Sequence, residues 1–471
     1  MGNSNQKPSD VTLITHRTTV PSSEQNAAAS LDYNTCLLKF FEKLELTADE
    51  GNVYPGVLSR KAFENTFHGP LKLFGKILYT QMQDGHVEKD RITKEQFVKA
   101  GKEILNLHEV NDQKKYYFRL FALGKNALTK DDSRDLVVVC YALALSLSSI
   151  PYSQFENSEG CREAMVNSMF GIQETISYED FERWMEKHCP HLFSSVHEWV
   201  LCILTGSKSH TEEVTTAVPE LDHILKGHYL INKTVLWCMT ISLPGVYITI
   251  PKPTDLRTQP SPYAFVSSSV QDLLQKARLP HCQTWNLLYN SNDHGLSMNR
   301  FSHHVSSYKG SCVTLLSFEA KNLYCIASDC GWREGSRRYG NDQCLLIQLL
   351  PIYRVMQAGP NMLLWNEYNR EMKKGIQIGR DAKSLILEIP SEFDTIKHYG
   401  VTCKLHRVEV WGCGGPGALE AQVKQKQWEI KDTQKHRTKK FTLHQKSESW
   451  EDNPDKQLLE WGGISTNHSY R

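Results

Sequence analysis

The segment Trp285 to Phe301, Trp-Asn-Leu-Leu-Tyr-Asn-Ser-Asn-Asp-His-Gly-Leu-Ser-Met-Asn-Arg-Phe, limits the possible folds more than any other stretch. Trp285, Leu287 and Tyr289 alternate as in a strand. Asn290 to Asp293 then breaks the pattern as a polar turn. Leu296, Arg300, Phe301 and His304 begin a helical spacing. Strand, corner and helix start follow one another without a linker. The chain before this segment is helical in pattern, and the chain after it is strand-rich as far as Trp411.

The chain has 471 residues, enough for two to four domains. A net charge of +1 gives no basic field for nucleic acid. The 13 cysteines lack CxxC spacing, and Cys140, Cys202 and Cys325 sit in apolar runs. That pattern predicts buried free thiols in a reducing compartment. The longest apolar run, Leu136 to Ile150, falls short of the roughly 20 residues a membrane-spanning helix needs, so it reads as a buried core helix. No secretory signal is read in residues 1–30, which are polar and expected to be disordered. The chain opens Met-Gly-Asn-Ser-Asn-Gln-Lys, so Gly2 is a candidate for N-myristoylation, although Gln6 stands where Ser or Thr is usual. One such chain gives only marginal, reversible membrane binding, so a second contact would be required.

Residues 31–205 are helical throughout. Four short segments repeat one shape: Leu58-Ser59, Ile92-Thr93, Leu128-Thr129 and Ile176-Ser177, each followed by a charged helix start. This resembles the exit half of an EF-hand, where the aliphatic residue pairs two loops and the Ser or Thr caps the following helix; the alternative is capped helices without paired loops. Placing the aliphatic residue at loop position 8 puts Ala62, Gln96, Asp132 and Asp180 at position 12. Loop one has Val53 at position 3, and loop two has Val87 and Lys89 at positions 3 and 5. A calcium loop needs oxygen ligands at 1, 3 and 5 and a bidentate Glu at 12, so the region reads as degenerate and no calcium is expected. His188, His191 and His197 lack the paired cysteines of a zinc site and read as core or solvated histidines; no metal is expected. Residues 206–241 read as a linker, with strand-like material starting near Val235.

From Val313 onward, strands follow one another with short connections, including a hairpin turn at Glu319 to Asn322. The fold class is therefore α+β: an all-α EF-hand-like region, then an antiparallel β-sandwich with flanking helices, then a C-terminal helix.

Trp285, Leu288, Tyr289, His294, Gly295, Ser297 and Phe301, followed by Ala327-Ser328, Trp332, Gly340-Asn341 and Glu409-x-Trp411-Gly412, resemble the signature of the TLDc domain. The resemblance covers 242–415. Tyr324-Cys325-Ile326 replaces the Gly-Gly-Phe common in that family, and Lys397-His398-Tyr399-Gly400 replaces Phe-Gly-Asn-Pro. With a Met-Gly start, an EF-hand-like region and a basic tail, the whole is similar to lysosomal, mTOR-associated members of the family. The resemblance implies binding rather than catalysis, with no cofactor. It implies mTOR signalling components and subunits of the vacuolar proton pump (V-ATPase) as partners. It also implies a place in the cytoplasm and on the cytosolic face of the lysosomal membrane, and a link to oxidative-stress protection.

An enzymatic alternative, hydrolase-like or antioxidant, would use His294 and Ser297 or Cys325. No nucleophile elbow or identifiable acidic third member accompanies the pair, and no basic cluster lies near Cys325 to activate it. A structural corner is the expectation, with no catalytic residue. Gly331 to Gly340, rich in Gly and Arg, reads as a solvated, partner-facing loop. The tail, 416–471, carries a basic helix after Gly415-Pro416-Gly417, with Leu419, Val423, Trp428 and Ile430 as partner-binding candidates. Leu458, Leu459 and Trp461 form a second short candidate.

Overall fold

The computed structural model describes residues 23–46, 56–83, 91–148, 150, 159–206, 217–222, 229–249, 270–271, 273, 279, 281–319, 321–446, 458–459 and 461–463. Gly2 lies outside them. The chain divides into two compact units, one of 1–125, 196–214 and 255–279, the other of 126–195, 215–254 and 280–471.

In the first unit, α1 (Ser23–Leu46) starts within the polar N-terminal stretch. It is followed by β1 (Val57–Ser59), α2 (Arg60–Asn65), α3 (Lys72–Met82), β2 (Arg91–Thr93), α4 (Lys94–Leu105) and α5 (Val110–Phe121). β1 and β2 pair antiparallel with Leu58 opposite Ile92, which is the EF-hand-like loop pairing read from the sequence. The position-12 side chain of the second loop closes its own helix cap: Thr93 N–H donates to Gln96 Oε1 at 2.9 Å, while Gln96 N–H donates to Thr93 Oγ1 at 3.3 Å. Phe41 meets Phe97 edge-on at 5.4 Å, and Phe67 and Phe74 pack on Trp199. Trp199 comes from α9 (Ser194–Thr205), whose His197 is buried and bonded through Nδ1 to Tyr117 Oη at 3.0 Å.

The second unit opens with the other loop pair. β3 (Ala127–Thr129) pairs with β4 (Thr175–Ser177), Leu128 opposite Ile176. Thr129 and Asp132 form a second reciprocal cap. The apolar run becomes α6 (Lys130–Leu147), a buried core helix, as expected. It is followed by α7 (Glu159–Phe170) and α8 (Tyr178–His188). The stretch near Val235, expected as strand, is instead the helix α10 (Lys233–Thr240), started by Asn232, whose side chain accepts from Val235 N–H at 2.8 Å. A run of eight mostly apolar residues fits strand or helix equally, and the Asn cap decides it. A short turn, α11 (Gly245–Ile248), leads on.

The strands form one continuous ladder of eleven, antiparallel except for β5 (Glu220–Leu221) on β6 (Thr284–Asn290). The hinge of the ladder is β15 (Val401–Gly412). Its first residues pair with β14 (Thr395–His398) and its last with β7 (Cys312–Phe318) and β6. A register shift between Leu405 and Arg407 lets one strand serve both halves, because a bulge re-aims the backbone. On one side lie β7, β8 (Asn322–Ser328), β9 (Leu345–Leu350) and β10 (Arg354–Ala358); on the other lie β14, β13 (Leu385–Ile389), β12 (Gly375–Gly379) and β11 (Leu363–Asn366). Leu316, Ile326 and Leu346 share one core with Ile376, Ile378, Leu387 and Ile396, so the two halves face each other as a sandwich.

The outer strands are covered, which suppresses edge-to-edge pairing. Val355 N–H on β10 donates to His188 Nδ1 at 2.9 Å, and Tyr353 N–H donates to Ala164 O at 3.2 Å. The second EF-hand-like pair of helices thus props one edge of the sandwich. At the opposite edge, Tyr339 and Leu363 exchange both backbone hydrogen bonds, and Gly335 N–H donates to Trp365 O. The Gly331–Gly340 loop, expected to be a solvated partner surface, therefore does structural work as well. Trp332 and Tyr339 enter the core, and Arg338 Nη1 donates to Gly379 O at 2.7 Å.

Candidate functional site

β6 is fixed at its start by Trp285, buried, whose indole N–H donates to Tyr247 O at 2.8 Å. At its end the chain turns through α12 (Ser291–His294) into α13 (Met298–Val305). Asn290 builds the corner: its Oδ1 accepts from Asn292 N–H at 3.0 Å and its Nδ2 donates to Asp293 Oδ2 at 2.8 Å. Asn290 N–H donates to His294 Nδ1 at 3.2 Å, which fixes that nitrogen as the unprotonated one. Tyr289 Oη donates to Gly295 O at 2.7 Å. Gly295 has φ 82°, open to glycine at little steric cost, and the Arg300 side chain closes over it to bond His294 O. Ser297 occupies the N-cap of α13 and its carbonyl accepts from Phe301 N–H; its hydroxyl makes no cap bond.

Phe301 is the hub of this corner. Its ring lies 5.3–5.6 Å from Tyr289, Trp332, Trp365 and Phe393. Trp332 donates its indole N–H to Thr314 Oγ1 at 3.0 Å. Leu288 is buried beside them, and Ala327 and Ser328 are buried in β8. Ser328 Oγ donates to Cys330 O. Gly340 has φ 105°, and Asn341 donates both its backbone N–H and its side-chain amide to Asp329 Oδ1. Gly412 passes against the Tyr308 ring so closely that an added Cβ would sit 2.7 Å from it.

Glu409 is fully buried and takes backbone N–H bonds from Leu230 and Ile231, with Trp411 Nε1 at 3.5 Å. Burial raises its carboxyl above the usual range, and these donors pull it back down. It ties the segment entering the sandwich to the strand that closes it.

Cys325 is fully buried, and burial pushes its thiol far up, the opposite of what a reactive thiolate requires. Nine of the 13 cysteines are buried, and Cys36, Cys282, Cys330 and Cys403 are partly exposed. On brief treatment of the native protein with N-ethylmaleimide, peptide mass spectrometry should find label on those four alone. Labelling of Cys325 as fast as Cys403 would show that the sandwich opens.

The last helix, α14 (Gly415–Lys446), begins three residues earlier than its composition suggested, because Pro416 fits the first turn of a helix. Gly414 N–H donates to Tyr308 Oη at 2.7 Å, and Ala418 and Leu419 pack on the sandwich core. Gln422 Nε2 donates to His304 O at 2.8 Å, with Lys426 Nζ at 3.5 Å from the same oxygen. Beyond this root Val423, Trp428 and Ile430 stand 46%, 61% and 59% exposed. Leu458 and Trp461 are exposed too, and Leu459 is 38% exposed. Of the tail candidates, then, the helix docks Leu419 and displays the others. Sequence reasoning missed the root residues His304, Gln422 and Lys426, which carry no motif; only the spacing of polar residues among Leu419 and Val423 hinted at a docked first turn.

Residues 268–414 match the family described as the TLDc domain. The chain carries a TLDc domain. A curated relative, "Restriction of telomere capping protein 5" of Kluyveromyces lactis, is 27% identical over 192 residues, covering 33% of this chain and 32% of that protein. The match therefore spans about a third of that relative's length. The corner at Asn290–Ser297, the Phe301 hub and Glu409 lie within the matched TLDc region, while the donors to Glu409, Leu230 and Ile231, lie before it. Among the described residues no helix is long and apolar enough to cross a membrane, and no group of three His, Cys, Asp or Glu is placed to hold a metal ion.

Proposed function

We propose that the protein is a non-enzymatic regulatory adaptor that works through its TLDc domain and α14. On the TLDc resemblance, it sits on the cytosolic face of lysosomes and contacts the V-ATPase and components of mTOR signalling. A myristoyl group on Gly2 would be one weak anchor there and protein contacts the other.

The observation that carries this reading is α14. It is a helix of 32 residues, about 48 Å long at 1.5 Å per residue, seated by its root and showing Val423, Trp428 and Ile430 to solvent. A long, largely polar helix with exposed aromatic and aliphatic side chains is better explained as a partner-binding element than as a stabilising one. The position of His294 and Ser297 supports the same reading. Nδ1 of His294 is engaged by backbone, and Ser297 stands at the N-cap position with its carbonyl accepting the first helical bond, so the pair is built as a corner.

The test compares capture of V-ATPase subunits from lysosomal membranes by the full chain, Gly2→Ala and a chain ending at Gly417. Capture should be strongest for the full chain, weaker for Gly2→Ala and lost for the shortened chain. Equal capture by all three, or none by any, would remove the two-contact reading.

A further inference from the structure

We propose that the root of α14 is a proton-sensitive latch: proton uptake by the stacked His294–His304 pair loosens the seat of Gln422 and Lys426 and frees the first turns of α14 from the TLDc domain. It concerns the isolated chain and does not depend on which partner α14 meets.

The geometry is specific. The rings of His294 and His304 lie 3.8 Å apart at 18°, a stacked pair, and His303 stands edge-on to His304 at 5.2 Å. The backbone carbonyl of His304 is the acceptor that receives both Gln422 and Lys426. The groups that face the pair can be named element by element. β6 contributes the Tyr289 ring, with its hydroxyl already bonded to Gly295 O. α12 contributes Asp293, engaged by Asn290. α13 contributes Arg300 and His303, and α14 contributes Lys426, with Glu429 near it and held by Gln425 at 2.9 Å. Two cations, Lys426 and Arg300, are therefore balanced by two carboxylates that already have partners. A proton on either imidazole tips this balance, and protons on both would set two cations in ring contact.

Linkage gives the direction. Burial, first, and then His294, Lys426 and His303 hold His304 down at about 4, and His294 is lowered by burial, against the pull of Asp293, with Lys426, Arg300 and His303 adding to the depression. Because Lys426 weakens proton binding at both rings, protonated rings must weaken the seating of Lys426 by the same factor. Docking is therefore favoured while both rings are neutral and weakens as falling pH protonates them, by the share of the depression that Lys426 supplies. Both histidines are partly solvated, which limits the effect.

Hydrogen exchange read by mass spectrometry on the full chain tests it, at about pH 7.5 and about pH 5, corrected for intrinsic rates. Protection of amides 418–426 should fall roughly tenfold or more at the lower pH while β7 and β8 stay protected. His304→Gln and, separately, Lys426→Met should abolish the difference; Lys426 lies on the helix surface, so its replacement leaves the core intact. Unchanged protection of 418–426 with an intact β core would overturn the latch. So would an undiminished pH effect in both variants.

Discussion

Glu409→Ala is expected to destabilise the TLDc domain by about 3–5 kcal/mol, since two backbone N–H groups lose their buried acceptor at ~1–3 kcal/mol each and a cavity is left. The donors are Leu230 and Ile231, and the carboxylate itself is fully buried. Glu409→Gln should be far milder, about 1–2 kcal/mol, because the amide oxygen keeps one acceptor and no charge is buried. The sign of the titration supports the contrast. Burial raises the carboxyl of Glu409 in the folded state, so ionisation costs stability as pH rises through its unfolded value toward its folded one. Glutamine does not carry that cost at neutral pH. Urea unfolding followed by tryptophan fluorescence would measure both variants. An alanine variant within ~1 kcal/mol of the parent would mean that the 229–231 segment detaches freely.

Acid should weaken both compact units, and a buried histidine in each contributes. His197 in the first and His188 in the second are held down to about 4, burial being the larger cause in both. The unfolded chain titrates them near 6.5, so between about 6.5 and about 4 the unfolded state binds more protons, and stability falls as pH falls. Above that window the penalty is absent. A depression of this size corresponds to roughly 3 kcal/mol per histidine at the bottom of the window. Protonation of His188 also removes the acceptor for Val355 N–H and so uncovers the β10 edge. His188→Asn places an amide oxygen where Nδ1 stood and should reduce the pH dependence of the second unit, most at the β10 edge, while leaving the first unchanged. Thermal unfolding from about pH 7.5 to about pH 4.5, read by hydrogen exchange in each unit, would show it. A parallel shift in both units of the variant would point away from His188.

Much of this fold could be read from residue order alone. The alternation at Trp285, Leu287 and Tyr289 marks a strand, and the short apolar runs after Val313, bounded by turn residues, become strands buried on both faces. The four Ser or Thr caps were legible because capping is local, and the paired loops they imply are present in both units. β14 escaped notice because it has four residues and only Ile396 is buried in it. The α10 helix was illegible in the apolar pattern because Val235 to Met239, five apolar residues in a row, carry no decisive period, and only the cap at Asn232 marks a helix.

The role of the Gly331–Gly340 loop was illegible for another reason. Its composition is that of an exposed loop, but Arg338 and Tyr339 find their partners, Gly379 and Leu363, 41 and 24 residues further along the chain. The clamp at Glu409 likewise closes over 179 residues to Leu230. Contacts of that separation leave no periodic trace, because they depend on how the sheet halves meet and not on neighbouring residues.

The sequence by itself determined the class of each segment, the capped EF-hand-like helices, the TLDc signature and the basic helix at the end. Those properties follow from local backbone preference and from which side chains water rejects. Only the tertiary structure decided that His294 is engaged by the backbone of its own corner and stacked on His304, that the second EF-hand-like pair props the β10 edge, and that α14 docks by Gln422 and Lys426 while displaying Trp428. Each of these depends on which elements become neighbours when the sandwich closes around Phe301, a condition set by the packing of the whole core.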